Sequence, residues 1–180
     1  IYSMYILLRN EIPTLRKGLE DKGYPIQVLP KGAYFGHPAA VVLSDPSLDE
    51  IREEDEAIMY YSMGTRLIVI THSGHCYLIG KLFPGICVIP DDASDICTLI
   101  EKAIRHGRAH DDAPPKLTET ELKLLHELGY GMSNKELSER MGRSERTIRR
   151  IKESIFLKTG LISSEQLLLY TLYRLNTRSS

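Results

Sequence analysis

The stretch GMSNKELSERMGRSERTIRRIKESI, residues 131–155, determines how the second half of the chain is expected to fold. Ser133 or Asn134 is placed to cap a short helix, because both residue types accept hydrogen bonds from the free N–H groups at a helix start. Gly142 is a turn residue, and Ser144 is a second cap ahead of a longer helix. The stretch therefore predicts a short helix, a tight turn and a longer helix.

The longer helix is predicted to be amphipathic, with one packing side and one exposed side. On a helical period of about 3.6 residues, one side carries the isoleucines Ile148, Ile151 and Ile155. The opposite side carries Arg146, Arg149, Arg150 and Glu153. A short helix, a glycine turn and a longer helix with outward arginines are typical of the helix-turn-helix motif, whose second helix enters the DNA major groove. A solvated charged face is the alternative for any basic helix.

Further helices are predicted on both sides of this motif. Thr118-Glu-Thr-Glu121 is a capping box ahead of a leucine-rich stretch, and Gly129 ends that helix. Ser163 begins another helix, which carries apolar residues as far as Leu175. The chain from Leu117 onward is therefore expected to be helical throughout.

Charge also distinguishes the two halves of the chain. Residues 1–115 carry a formal charge of −5 and residues 116–180 carry +4, although the whole chain carries only −1. A basic tail behind an acidic front half predicts that the tail meets an acidic partner. The length of 180 residues, 42% of them hydrophobic, permits one ordinary core or two small ones.

The tail resembles the LuxR-type DNA-binding domain, also described as NarL-like or GerE-like. The resemblance runs from Leu117 to about Tyr173 and is carried by LTETELKLLHELGYGMSNKELSERMGRSERTIRRIKESIFLKTGLISSEQL, with GMSNKEL and SERTI as its core. It implies a four-helix helix-turn-helix domain over residues 117–177 that binds double-stranded promoter DNA as a homodimer. It also implies base contacts from Arg149 and Arg150, and positions near phosphates for Lys135, Arg146 and Thr147. Arginine suits such contacts because its planar fork binds guanine edges or phosphates bidentately.

Two positions depart from the pattern of that family. Ile151 stands where the family usually has a histidine, and Glu153 stands where some members have a base-contacting lysine. A glutamate repels phosphate but is able to accept a hydrogen bond from a cytosine amino group. The resemblance also implies a dimer contact on the last helix, at Leu168, Leu169, Leu172 and Tyr173. Core packing is the alternative for about half of these four positions.

The front half alternates short apolar runs with helix-like stretches. Five runs lack polar alternation: Tyr5–Leu8, Ile26–Leu29, Ala40–Leu43, Leu67–Ile70 and Ile86–Ile89. Such runs are typical of parallel strands covered on both faces. Helices are predicted at Thr14–Lys22, Leu48–Met63 and Ala93–Arg105. Residues 30–39, PKGAYFGHPA, are too rich in proline and glycine for a helix and predict an irregular link. The fold class is therefore α/β, a doubly wound five-stranded parallel sheet over residues 4–106.

This front half resembles the receiver domain of a response regulator, in a degenerate form. Asp45, after the third apolar run, matches the phosphoacceptor, and Thr71 matches the receiver's hydroxyl. Receivers hold Mg²⁺ with adjacent acids after the first strand and meet the phosphoryl group with a lysine after the fifth. Here the acid-pair positions are Arg9 and Asn10, and the lysine position is Pro90.

The loss of these groups predicts control without phosphorylation, since Mg²⁺ depends on carboxylate ligands. We expect Arg9 to pair with Asp45 in place of the metal and to lower its pKa. The alternative for Asp45 is an ordinary acid in the turn before Pro46. Residues 107–116, GRAHDDAPPK, read as a linker between the two domains.

Other motifs favour neither a metal nor a cofactor. His72, His75 and Cys76 lack a second ligand cluster and are interpreted as a polar loop after the fourth strand. No phosphate-binding glycine fingerprint and no catalytic motif is present, so an enzyme is not expected. Three cysteines are an odd number, and there is neither a secretory signal nor an apolar run of about 18 residues. These features predict a reduced, cytoplasmic protein with no membrane partner.

Together these patterns predict a DNA-binding transcription regulator of the response-regulator type, independent of phosphorylation. RNA polymerase is a further candidate partner. One alternative is a conventional two-component response regulator that is phosphorylated on Asp45. A second alternative is a protein-interaction module whose tail sequesters a partner protein.

Overall fold

The computed structural model describes residues 4–61, 64–107 and 114–176. The chain divides into two compact units: Ile1–His72 with Leu82–Asp112, and Ser73–Lys81 with Ala113–Ser180. Most of the predicted linker, residues 107–116, lies outside the described residues. The division into domains at 4–106 and 117–177 therefore stays a prediction.

Strands and helices alternate through the first half of the chain. The elements are β1 (Ile6–Leu8), α1 (Pro13–Asp21), β2 (Ile26–Val28), β3 (Ala40–Ser44), α2 (Leu48–Tyr61), β4 (Arg66–Thr71), α3 (Ser73–Leu82), β5 (Cys87–Pro90) and α4 (Ile96–His106). All five predicted strands form, and they join into one sheet in the order β2-β1-β3-β4-β5. Each neighbouring pair is parallel. The predicted doubly wound α/β class is confirmed.

The register of the sheet brings its strand ends to a common edge. Leu8 pairs with Val42, Ser44 pairs with Ile70, and Thr71 pairs with Pro90. Strand order reverses between β1 and β3, because β1 connects to β2 on one side and β3 continues on the other. In open parallel sheets, ligands and reacting groups gather beyond the carboxyl ends of strands at such a point.

The core of the first unit is built from the strands and two of the helices. Leu15 and Leu19 of α1 and Ile100 and Ala103 of α4 pack on one face of the sheet. The strand residues in this cluster are Ile6, Leu8, Ala40, Val42, Ile68, Ile70, Cys87 and Ile89. These are the apolar runs of the sequence, so burial of the runs accounts for the formation of the sheet.

Residues 30–39 form an irregular link with no helix, as their prolines and glycines predict. The polar loop predicted at residues 72–76 is wrong, since α3 begins at Ser73 and continues to Leu82. Residues 74–80 of this helix are all buried. The sequence has apolar residues on every side of the helix here, so no amphipathic stripe marks it.

The second unit contains four helices after residue 113, as predicted: α5 (Glu119–Leu128), α6 (Asn134–Met141), α7 (Glu145–Thr159) and α8 (Ser164–Asn176). Thr118, Ser133 and Ser144 are the N-caps of α5, α6 and α7, and each side chain accepts a hydrogen bond from a backbone N–H three residues later. Ser133, not Asn134, is thus the cap of α6. Gly142 and Gly160 end α6 and α7 in the left-handed conformation, at φ 64° and 70°.

Candidate nucleic-acid interface

A short helix, a turn and a longer helix form the predicted motif at α6 and α7. Leu137 of α6 and Ile148 of α7 are fully buried, and so is Ile155 two turns further along α7. These residues hold the back of α7 in the core of the unit. Ile151 is only half-buried, at the edge of this apolar stripe.

The opposite side of α7 is exposed and carries cationic side chains. Exposed here are Arg146, Arg149, Arg150 and Glu153, and Arg143 is exposed in the preceding turn. Arg149 lies 3.7 Å from Glu145, one helical turn earlier, in a solvent-exposed pair. In the described part of the chain, no ion pair is found for Arg146 or Arg150. Because surface pairs contribute little, all three guanidinium groups are free to meet another anion.

Lys135 and Thr147, the other two residues expected near phosphates, differ in their surroundings. Lys135 is exposed in the first turn of α6. The Thr147 hydroxyl lies 2.9 Å from the Ser144 hydroxyl, whose oxygen also accepts from the Thr147 N–H at 3.2 Å. Thr147 therefore takes part in the cap of α7, with its side chain half-buried.

At the carboxyl edge of the sheet, two residues matched to a receiver site lie in contact. The Thr71 hydroxyl donates to a carboxylate oxygen of Asp45 at 3.2 Å. Asp45 is exposed and has a positive φ of 47°, which a short polar side chain tolerates. Asn10 is exposed after β1, and Pro90 is the buried last residue of β5.

The expected pairing of Arg9 with Asp45 is wrong, because Arg9 pairs with Glu54 of α2. The Nη2–Oε1 distance is 2.7 Å, and both side chains are 6% exposed. Arg9 Nη1 also donates to the carbonyl oxygens of Pro30 and Ala33, each at 2.6 Å. The irregular link leaves carbonyl groups without helical partners, and the guanidinium satisfies them.

Tyr34 completes this buried cluster. Its hydroxyl donates to Glu54 Oε1 at 2.5 Å, and the Arg9 guanidinium lies 4.7 Å from the centre of its ring. Burial, followed by the neighbouring Glu54, raises the pKa of Tyr34 to about 12. A guanidinium in this place does not fit a Mg²⁺ site, which requires carboxylate ligands. Within the described residues, no three His, Cys, Asp or Glu side chains gather as a metal site would require.

Comparison with known families decides the nature of the tail. Residues 115–171 match the model of the bacterial regulatory proteins of the luxR family, GerE. This segment is a LuxR-family domain. It covers α5, α6, α7 and most of α8, so the helix-turn-helix described above is the DNA-binding part of a transcription regulator. Among curated proteins, none matches the chain.

Solved structures of response regulators are similar to the chain over most of its length. RcsB of Salmonella enterica serovar Typhimurium, bound to promoter rprA with a phosphomimetic, is 15% identical over 93% of this chain and 98% of that one, with a TM-score of 0.47. A second RcsB–DNA complex is 18% identical, covering 93% and 97%, at 0.47. ChrA of a haem-sensing two-component system is 18% identical, covering 98% and 99%, at 0.40.

The last helix of the LuxR-type domain has an exposed apolar edge. Leu168, Leu169 and Leu172 are 45%, 36% and 43% exposed, and Tyr173 is half-buried. Leu167, Tyr170 and Thr171 of the same helix are buried in the domain. The residues predicted for a dimer contact are therefore distinct from those that hold α8 in place.

Two polar contacts inside the LuxR-type domain were not predicted. Glu121 of α5, 4% exposed, accepts hydrogen bonds from Lys158 of α7 at 2.5 Å and from Thr118 at 2.9 Å. Burial raises the pKa of Glu121, but the hydrogen bonds from Lys158 and Thr118 outweigh it and the pKa is lowered. Lys152 of α7 donates to Asn134 of α6. The sequence carries no signal for either pair, since each joins residues on different helices.

No helix in the described ranges combines the length and apolar character that a bilayer crossing needs.

Proposed function

We propose that this chain is a bacterial transcription regulator that binds double-stranded promoter DNA through α6 and α7 and needs no phosphorylation to do so. The observation that carries the proposal is the exposed arginine side of α7, fixed from behind by the buried Ile148 and Ile155. A recognition helix must combine these two properties, because it has to enter a groove without losing its position in the domain.

The exposed residues divide by the contacts that we propose for them. Arg149 and Arg150 read base edges, and Lys135 and Arg146 contact phosphates on either side of the groove. Glu153 accepts a hydrogen bond from a cytosine amino group. The cap hydroxyl of Thr147 is occupied by Ser144, which supports a phosphate contact through the helix start rather than through this side chain.

A homodimer is proposed through the leucine edge of α8. Exposed leucines at 168, 169 and 172 offer an apolar surface that a second copy would bury. Two domains related by a two-fold axis read two half-sites, which raises affinity without any additional contact in each half.

Independence from phosphorylation is supported by the Arg9 cluster. Asp45 and Thr71 are in contact, but the position that would hold a metal-binding acid carries a guanidinium committed to Glu54. The rival is a conventional regulator phosphorylated on Asp45. Treatment with a small phosphodonor and Mg²⁺, followed by intact-mass measurement, separates the two. We expect no mass gain, and a stable gain on Asp45 would favour the rival.

The test of DNA recognition is selection of bound sequences from a pool of random duplexes by the unmodified protein. We expect an enriched motif with two-fold symmetry, because a dimer reads two half-sites. The competing function is a tail that sequesters a partner protein. Failure to enrich any sequence, together with retention of duplex at high salt, would contradict the proposal, since affinity for DNA phosphates falls steeply with salt.

A further inference from the structure

A single hydrogen bond joins the two helices of the helix-turn-helix at its outer edge. The Lys152 ammonium of α7 donates to the side-chain oxygen of Asn134, the first residue of α6. Both side chains are half-buried. Lys152 lies three residues after Arg149, so the two are neighbours on the surface of α7. Asn134 immediately precedes Lys135. The bond thus lies beside one proposed base contact and one proposed phosphate contact.

The ammonium of Lys152 is held inward rather than extended into solvent. Partial burial disfavours its charged form and lowers the pKa of Lys152. Within the described residues, no carboxylate forms an ion pair with it. A cation in this position needs a hydrogen-bond acceptor, and Asn134 supplies one. Lys152 therefore differs from the exposed arginines nearby, because its charge is already engaged inside the motif.

We propose that Lys152 is a positioning residue for DNA recognition, which fixes the start of α6 against the flank of α7 through Asn134. This inference rests on the proposed function. Lys152 sets the separation between Lys135 and Arg149, and so aligns the phosphate contact with the base contact. It does not neutralise a phosphate itself. A displacement of either contact by a fraction of an ångström weakens both, because hydrogen bonds are sensitive to distance and angle.

The experiment measures the affinity of the full-length protein for its selected duplex over a series of salt concentrations. Lys152→Met keeps the apolar stem and removes the ammonium. We expect binding about threefold to tenfold weaker, the range that one net hydrogen bond supports. The slope of log affinity against log salt should stay at the wild-type value, since no phosphate contact is lost. Lys135→Met is the comparison, and should reduce that slope by about 0.9.

Two further variants separate positioning from general damage to the fold. Lys152→Arg retains a donor and should recover most of the affinity. Asn134→Ala removes the acceptor, so its loss and that of Lys152→Met should not add in the double variant. Circular dichroism verifies that each variant is folded, and Asn134→Ala provides the test if Lys152→Met is not.

Three results would overturn the inference in different ways. Wild-type affinity in both Lys152→Met and Asn134→Ala would mean that the bond positions nothing. A slope reduced as in Lys135→Met would make Lys152 a phosphate contact instead. Absence of salt-dependent duplex binding by the wild-type protein would overturn the proposed function as well, so the two failures are distinguishable.

Discussion

Arg9 and Glu54 form a buried ion pair, with 2.7 Å between Nη2 and Oε1 and only 6% of each side chain exposed. The same guanidinium donates to the backbone of Pro30 and Ala33, within the link that replaces a crossover helix. One side chain therefore both occupies the position of a metal-binding acid and holds an irregular segment in place.

Removal of Arg9 should destabilise the first unit strongly. In Arg9→Met, Glu54 stays buried without its partner and two carbonyl groups lose their donor. We expect a loss of about 3–5 kcal/mol in the free energy of unfolding, measured by urea denaturation. Lys31→Met is the matched control, because Lys31 pairs with Glu53 on the surface, where a pair contributes about 0–1 kcal/mol. Equal effects of the two substitutions would refute this role of Arg9.

Stability of the LuxR-type domain should fall with acid because of Glu121. Its pKa is lower in the folded domain than the ordinary value of 4.5, so its contribution is complete above that value and is lost as pH falls through the folded pKa. Glu121→Gln should lower the melting temperature at pH 7, and the difference from wild type should shrink in acid. Glu139→Gln, at an exposed position of α6, is the control and should melt like wild type throughout. A Glu121→Gln difference that stays constant with pH would contradict the assignment.

Arg149 and Arg146 should respond differently to truncation. Arg149→Ala is expected to cost roughly 1–3 kcal/mol on the selected duplex and to relax the preference at one base position, because it removes a base contact. Arg146→Ala should weaken all sequences about equally and reduce the salt slope by about one unit. Binding measured on a panel of single-base variants gives the comparison. A uniform loss from Arg149→Ala would make it a phosphate contact.

The leucine edge of α8 should control the oligomeric state. Leu172→Glu places a charge on the proposed contact, and burial of that charge in a dimer is unfavourable. We expect the variant to sediment as a monomer at concentrations where wild type is a dimer. Leu157→Glu introduces the same charge at a 78% exposed position of α7 and should leave the dimer intact. A dimeric Leu172→Glu variant would locate the contact elsewhere.

Much of the fold could be predicted from the sequence because its signals are local. Apolar runs indicated the five strands, and the Thr118, Ser133 and Ser144 caps with Gly142 delimited α5, α6 and α7. The helix α3 was missed because Cys76–Ile79 is apolar and buried on every side, so no helical period is visible.

Partner choice among charged groups could not be predicted in the same way. Arg9 was expected at Asp45 because both lie at the ends of neighbouring strands, yet Glu54 is 45 residues away in sequence and meets it only through the packing of α2. Lys152 and Asn134 are likewise joined by the angle between two helices. Such pairs depend on tertiary geometry, whereas a cap or an apolar stripe is set within a few residues.

The most direct test of the central claim is the affinity of the unphosphorylated protein for its selected duplex between low and high salt. We predict sequence-specific binding whose logarithm falls linearly with log salt, by about 0.9 for each phosphate that Lys135, Arg146 and their dimer mates neutralise. Binding that is indifferent to salt, or that appears only after phosphorylation of Asp45, would contradict the claim.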